Sequence, residues 1–130
     1  MWSNGFARIY KILYKGTAMA ARKSVEFRGS SLDDLRAFPD SARHEAGHQI
    51  DLVQQGYQAD DWKPMQTVGA GVQEIRIRDA AGAFRVIYVA KFADAVYVLH
   101  CFRKITQKTS KTDLDLAAKR YRELTKELGK

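Results

Sequence analysis

The sequence predicts an α+β domain with element order β-α-α-β-β-β-α: a helical hairpin packed on a small antiparallel sheet, then a C-terminal helix. Three observations predict it. Residues 72–102 hold three β-rich runs separated by short turns. Residues 30–56 hold two consecutive helix starts and stops. Residues 112–128 repeat apolar side chains at helical spacing.

The elements follow in order. Ser24 to Arg28 alternates around Val25 and Phe27 and reads as a strand ended by Gly29. Ser30-Ser31-Leu32-Asp33-Asp34 reads as a helix start, with hydroxyl caps and then acids near the positive end of the dipole. That helix stops before Pro39. A second helix runs from Pro39-Asp40 to about Gln55, with Gly56 as its stop. Its apolar residues Ala42, Ala46, Ile50 and Val53 fall on one face. Residues 57–71 read as irregular. Strands are expected over Val72–Arg78, Phe84–Phe92 and Ala95–Phe102, joined by the turns Asp79–Gly82 and Ala93-Asp94. Thr112 with Asp115 resembles a capping box for the last helix. Its stripe is Leu114, Ala117 or Ala118, Tyr121, Leu124 and Leu128.

The chain has 130 residues, the length of one domain. Hydrophobic residues make up 45% and charged residues 28%, which excludes disorder as a description of the whole. Residues 23–130 are expected to form that single domain, preceded by an extension over 1–22. The extension has two readings. It is a flexible leader, an upstream start or expression remnant before Met19, or it is an added helix carrying Phe6, Ile9, Tyr10 and Leu13 on one face. The lone Cys101 excludes an internal disulfide and any CxxC redox or metal pair. No apolar run approaches the roughly 20 residues of a membrane helix, and the run Ile9–Tyr14, interrupted by Lys11, is too short and too polar for a signal-peptide core. A cytoplasmic protein without membrane contact is expected.

The net charge is +7, and its distribution matters more than its sum. Residues 1–23 carry five basic residues and no acid, and residues 101–130 carry nine basic and four acidic. The body between them is mildly acidic. Basic ends suit contact with a polyphosphate backbone; a solvated surface is the plainer account of the same bias.

His44-Glu45-Ala46-Gly47-His48 matches the H-E-x-x-H pattern of zinc peptidases. On a helix whose core face is centred on Ala46, both histidines point away from the core. Gly47 further weakens that helix by ~1 kcal/mol relative to Ala. They read as two surface histidines, and no metal or small-molecule cofactor is expected.

A different constellation survives. Alternation places Glu74, Arg76 and Arg78 on one face of their strand, with Ile75 and Ile77 facing the core. Glu74 and Arg76 are therefore expected to point outward. Arg85 lies among Phe84, Val86 and Ile87, where a charge requires a partner or an anionic ligand. His100, Phe102 and Lys104 share a face of the last strand. Together these strands offer cations for a phosphate, an aromatic ring for a base, and an acid or base. A salt-bridged sheet face, with Glu74 against Arg85, is the competing account.

These segments also resemble a known family. Lys63-Pro-Met-Gln-Thr-Val-Gly-Ala-Gly-Val-Gln-Glu-Ile-Arg-Ile is similar to its "KPL…GxGVxElR" stretch. Phe84-Arg-Val-Ile-Tyr-Val-Ala-Lys-Phe-Ala-Asp-Ala-Val-Tyr-Val-Leu-His-Cys-Phe-Arg-Lys resembles its "yRavYtvkfgdaVYVLHcFqKK" block, and Val25 to Pro39 matches its start. The family is the phage-derived, HigB-like branch of the RelE/ParE toxin superfamily, and the resemblance covers about residues 23–127. It implies the toxin of a type II toxin–antitoxin pair, an endoribonuclease that cuts mRNA on the ribosome without a metal. The implied catalytic residues are Arg76, Arg85 and Lys104, with Glu74 or His100 as proton acceptor. Lys63, Phe102, Arg103 and Lys108 would contact RNA. The implied partners are a cognate antitoxin, the ribosome and mRNA. Gln73 and Thr67 depart from some relatives, as does the lack of a tyrosine between Lys104 and the last helix. The alternatives are a ParE-type inhibitor of DNA gyrase that cuts nothing, and an inert binding module.

Overall fold

The computed structural model describes residues 22–130. The two readings of the N-terminal extension concern residues that lie outside that range. Strand β1 (Ser24–Phe27) leads into helices α1 (Ser31–Arg36) and α2 (Asp40–Gln54). Strands β2 (Trp62–Pro64), β3 (Val72–Asp79), β4 (Gly82–Val89) and β5 (Ala95–Lys104) follow, and helix α3 (Lys111–Leu128) ends the chain. The five strands form one sheet in the order β1-β5-β4-β3-β2. The α+β class agrees with the sequence reading, and so does the element order apart from one added strand, β2.

Four details differ. The sheet is mixed, because β1 runs parallel to β5, with Ser24 opposite Ala95 and Phe27 opposite Val98. The segment expected to be irregular contains β2, which pairs antiparallel with β3. Its three residues include Pro64, which cannot donate to a ladder, so it lies at the sheet edge. The cap of α3 is Ser110, whose side chain accepts from the Asp113 backbone N–H, in place of the expected Thr112–Asp115 box. At α1, the Ser30 hydroxyl donates to the Asp34 carboxylate and caps no backbone group.

Helices cover both faces of the sheet. Under α1 and α2 lie Ile75, Ile77, Phe84, Val86, Tyr88, Val96, Val98 and Cys101, packed on Leu35, Ala42, Ala46, Ile50 and Val53. The predicted apolar face of α2 is thus the observed one. Gly56 ends this segment at φ +92, a left-handed conformation that other residues adopt only with strain. Under α3 lie Val72, Ile87, Val89, Tyr97, Leu99 and Phe102, packed on Ala117 and Leu124, with Leu114, Ala118, Tyr121 and Leu128 at the margin. The α3 stripe is also as predicted.

One irregularity decides which side chains share a face. The β4–β5 register pairs Ile87 with His100 but Tyr88 with Val98, leaving Leu99 without a partner. This extra residue inverts the alternation along β5. Leu99 therefore packs beneath α3, and His100 also turns toward α3, where it meets Asp113. The bulged Leu99 carbonyl accepts from Arg120 Nη1 of α3 at 2.9 Å.

Candidate functional site

The site lies on the α3 face, at the end of the sheet beside the start of that helix. Strand register fixes its layout. One cross-strand row runs Lys63, Glu74, Ile87, His100, and the next runs Arg76, Arg85, Phe102. A third runs Arg78, Ala83, Lys104. Three strands thus place Arg76, Arg85 and Lys104 in neighbouring positions on one face. Below the bulge this grouping requires the extra residue in β5; without it His100, Phe102 and Lys104 would face α1.

Glu74 is 1% exposed and Arg85 9%. The expectation that Glu74 points outward is therefore corrected. It occupies the face opposite the isoleucines, as alternation requires, but that face is covered. Its Oε1 lies 3.6 Å from Arg85 Nε, so the anticipated ion pair exists. Glu74 Oε2 and Arg85 Nε are nonetheless both without a hydrogen-bond partner among the described residues. Burial pushes the Glu74 carboxyl above the ordinary range, against the opposing pull of Arg85, Lys63, Arg76 and Lys104. Burial likewise lowers the Arg85 guanidinium, against the pull of Glu74. Desolvation outweighs attraction for both partners. Protonation of Glu74 would leave the Arg85 charge without its anion, and a phosphate could take that place.

His100 Nε2 lies 2.7 Å from Asp113 Oδ1, while Nδ1 is buried without a partner among the described residues. The Ser110 hydroxyl donates to Asp113 Oδ2 at 2.7 Å. Phe102 stacks on the His100 ring, with centroids 4.9 Å apart and planes at 20°. Asp113 escaped the sequence reading, although Ser110 and Asp113 stand at the same spacing as the chosen Thr112 and Asp115.

The remaining expected residues divide. Arg76 shares the face, but its Nε donates to Asp61 Oδ1 at 3.0 Å, which draws it toward the sheet edge. Lys63, Lys104 and Lys108 line one cleft of about 330 Å³, whose apolar floor is Met65 and Leu114. Lys104 also donates to the Gln107 carbonyl. Arg103 is not brought to this site. It lies on the opposite face, over the Phe84 ring at 5.7 Å, and donates to the Ala81 carbonyl. His44 is exposed and His48 half-buried, both outside the core face of α2. Among the described residues, no group of three or more His, Cys, Asp or Glu side chains could hold a metal ion. No helix among them is long and apolar enough to cross a membrane.

A five-stranded mixed sheet with three helices, one of them C-terminal, is consistent with a RelE-like fold. The model of the family described as Phage derived protein Gp49-like (DUF891) matches residues 33–122. The chain belongs to that family, which is of the RelE-like toxin type. A comparison with curated proteins finds no match.

Proposed function

We infer that the protein is the toxin of a toxin–antitoxin pair and cleaves mRNA on the ribosome. Residues 23–130 act as its toxin unit, as the HigB-like branch does. The observation that carries this reading is the row pattern of the sheet. Glu74 and His100 flank Ile87 on the central strand, Arg85 stands one row away on the same strand and face, and Lys63, Lys104 and Lys108 are at the rim. Strands are about 4.8 Å apart, so Glu74 and His100 stand roughly 10 Å apart at their backbones, on either side of the Arg85 strand. That separation suits an in-line displacement at phosphorus. The 2′-hydroxyl attacks from one side, and the 5′-oxygen leaves on the other. One flanking group takes the hydroxyl proton, and the other returns a proton to the 5′-oxygen. Arg85 and the rim lysines hold the phosphate and offset its added negative charge. No metal has a part in this scheme. Phe102, buried under α3 and stacked on His100, braces that imidazole.

Toe-printing on translating ribosomes tests the reading. The unaltered chain is expected to produce breaks in the mRNA at the A site. Intact message under conditions of full translational arrest would overturn it, and inhibition of gyrase supercoiling by the same preparation would establish the alternative. A toxin of this kind requires a neutralising protein. The product of the neighbouring gene is expected to co-purify with the chain and to suppress cleavage.

A further inference from the structure

One ring nitrogen of His100 is engaged and the other is not. Nε2 lies 2.7 Å from Asp113 Oδ1, and Nδ1 is shielded from water without a partner among the described residues. An ionised carboxylate accepts hydrogen bonds and cannot donate them, so it selects the tautomer with the proton on Nε2. Nδ1 then carries the lone pair. Asp113 is itself held in place. Its Oδ2 accepts the Ser110 hydroxyl at 2.7 Å, and its backbone N–H donates to Ser110 Oγ at 3.1 Å. Phe102, stacked on the ring at 4.9 Å, fixes the imidazole plane from a second direction. A helix cap and an aromatic neighbour thus converge on one imidazole, beyond what joining α3 to β5 requires. Leu114, Ala117 and Leu124 already join them through apolar packing.

We propose that Asp113 is a positioning residue that orients His100 so that Nδ1, covered in the free protein and uncovered as RNA enters, takes the proton of the attacking 2′-hydroxyl. The proposal rests on the nuclease reading above and divides its two proton-transfer roles. The 2′-oxygen forms its bond to phosphorus as the bond from phosphorus to the 5′-oxygen breaks. The hydroxyl proton ends on Nδ1. The 5′-oxygen takes its proton from the acid form of Glu74, on the far side of the Arg85 strand. The resulting imidazolium faces the Asp113 carboxylate, which offsets its charge, as the carboxylate does in other histidine–carboxylate pairs.

The test compares the full chain with its Asp113→Asn and Asp113→Glu variants on mRNA-programmed ribosomes. Ring ¹⁵N shifts of His100 are read alongside, assigned with a His100→Gln sample. An asparagine amide can donate to Nε2 and so releases the choice of tautomer. Asp113→Asn is expected to lower kcat about 10- to 100-fold with KM within about twofold, and to mix the two tautomers. Asp113→Glu, which keeps the carboxylate, is expected to recover most of the rate and the single tautomer. Undiminished kcat in Asp113→Asn, with the unaltered chain active, would overturn the proposal and leave the nuclease reading standing. So would a thermal destabilisation without a change in tautomer. An unaltered chain that leaves ribosome-bound mRNA intact would overturn the nuclease reading, and His100 would then serve only to join β5 to α3.

Discussion

At the scale of the residue, the Glu74–Arg85 pair carries a conflict between stability and use. Both groups are buried, and both are shifted by burial against the pull of the partner. Arg85→Ala should therefore cost up to about 3 kcal/mol by leaving a buried carboxyl behind. It should also lower cleavage by roughly 100- to 1,000-fold, the usual effect of removing one preorganised donor. The double replacement Glu74→Gln with Arg85→Met should recover most of the stability in urea titrations and none of the cleavage. Equal recovery of both would mean that Arg85 serves the fold alone. Cys101 offers a second measurement. Burial pushes its thiol up to about 12, so it should resist iodoacetamide at pH 8 in the folded chain and react only as fast as the chain opens. The sequence made most of these side chains visible, because a charge in an apolar run and a period-two alternation can both be read directly. It did not reveal that Glu74 is covered. Alternation assigns a side chain to a face, but it cannot say whether that face meets water or a helix.

At the scale of the element, β5 and α3 make the site together. The unpaired Leu99 brings His100 under α3, and Arg120 of that helix satisfies the Leu99 carbonyl. Arg120 Nη2 also donates to Ser30 Oγ at 3.1 Å. Arg120→Met should cost about 1–3 kcal/mol, since a bulge carbonyl loses its donor. It should also weaken cleavage, although Arg120 occupies no position in the cationic rows. A variant of reduced stability and full activity would show that the bulge holds without it. The cap gives a cleaner contrast. Ser110→Ala should lower stability by about 1 kcal/mol, whereas Thr112→Ala should change it by a few tenths at most, as judged by thermal melting. The sequence offered both boxes at one spacing, and local pattern alone could not choose between them. Only Asp113 had a histidine to meet across the sheet. The brief β2 was hidden for a related reason: three residues ending in proline carry no period of their own, and β3 alone makes them a strand.

At the scale of the whole molecule, the sheet separates two cores, one beneath each helical layer. The sequence predicted the helices and the main strands because each has its own periodicity. It did not predict the parallel pairing of β1, which depends on a partner some seventy residues away. The two-sided burial has a measurable consequence in alkali. Burial pushes the Tyr88 phenol up to about 12, against an ordinary value of 10.0. Between those values the unfolded chain loses a proton that the folded chain retains. Its contribution is thus constant below pH 10, and stability falls as pH rises from 10 to 12. The loss should approach about 2–3 kcal/mol for this group. Tyr88→Phe should remove that part of the slope in urea titrations at pH 9, 10 and 11.

The pairing of the first described strand with the last also governs when the molecule can exist. During synthesis β1 emerges some seventy residues ahead of its hydrogen-bonding neighbour, Ala95–Val98. The rows that gather Arg85, His100 and Lys104 close at the same late moment. A nascent chain therefore cannot bring Arg85, His100 and Lys104 onto one sheet face until Ala95–Lys104 has been made and has left the exit tunnel.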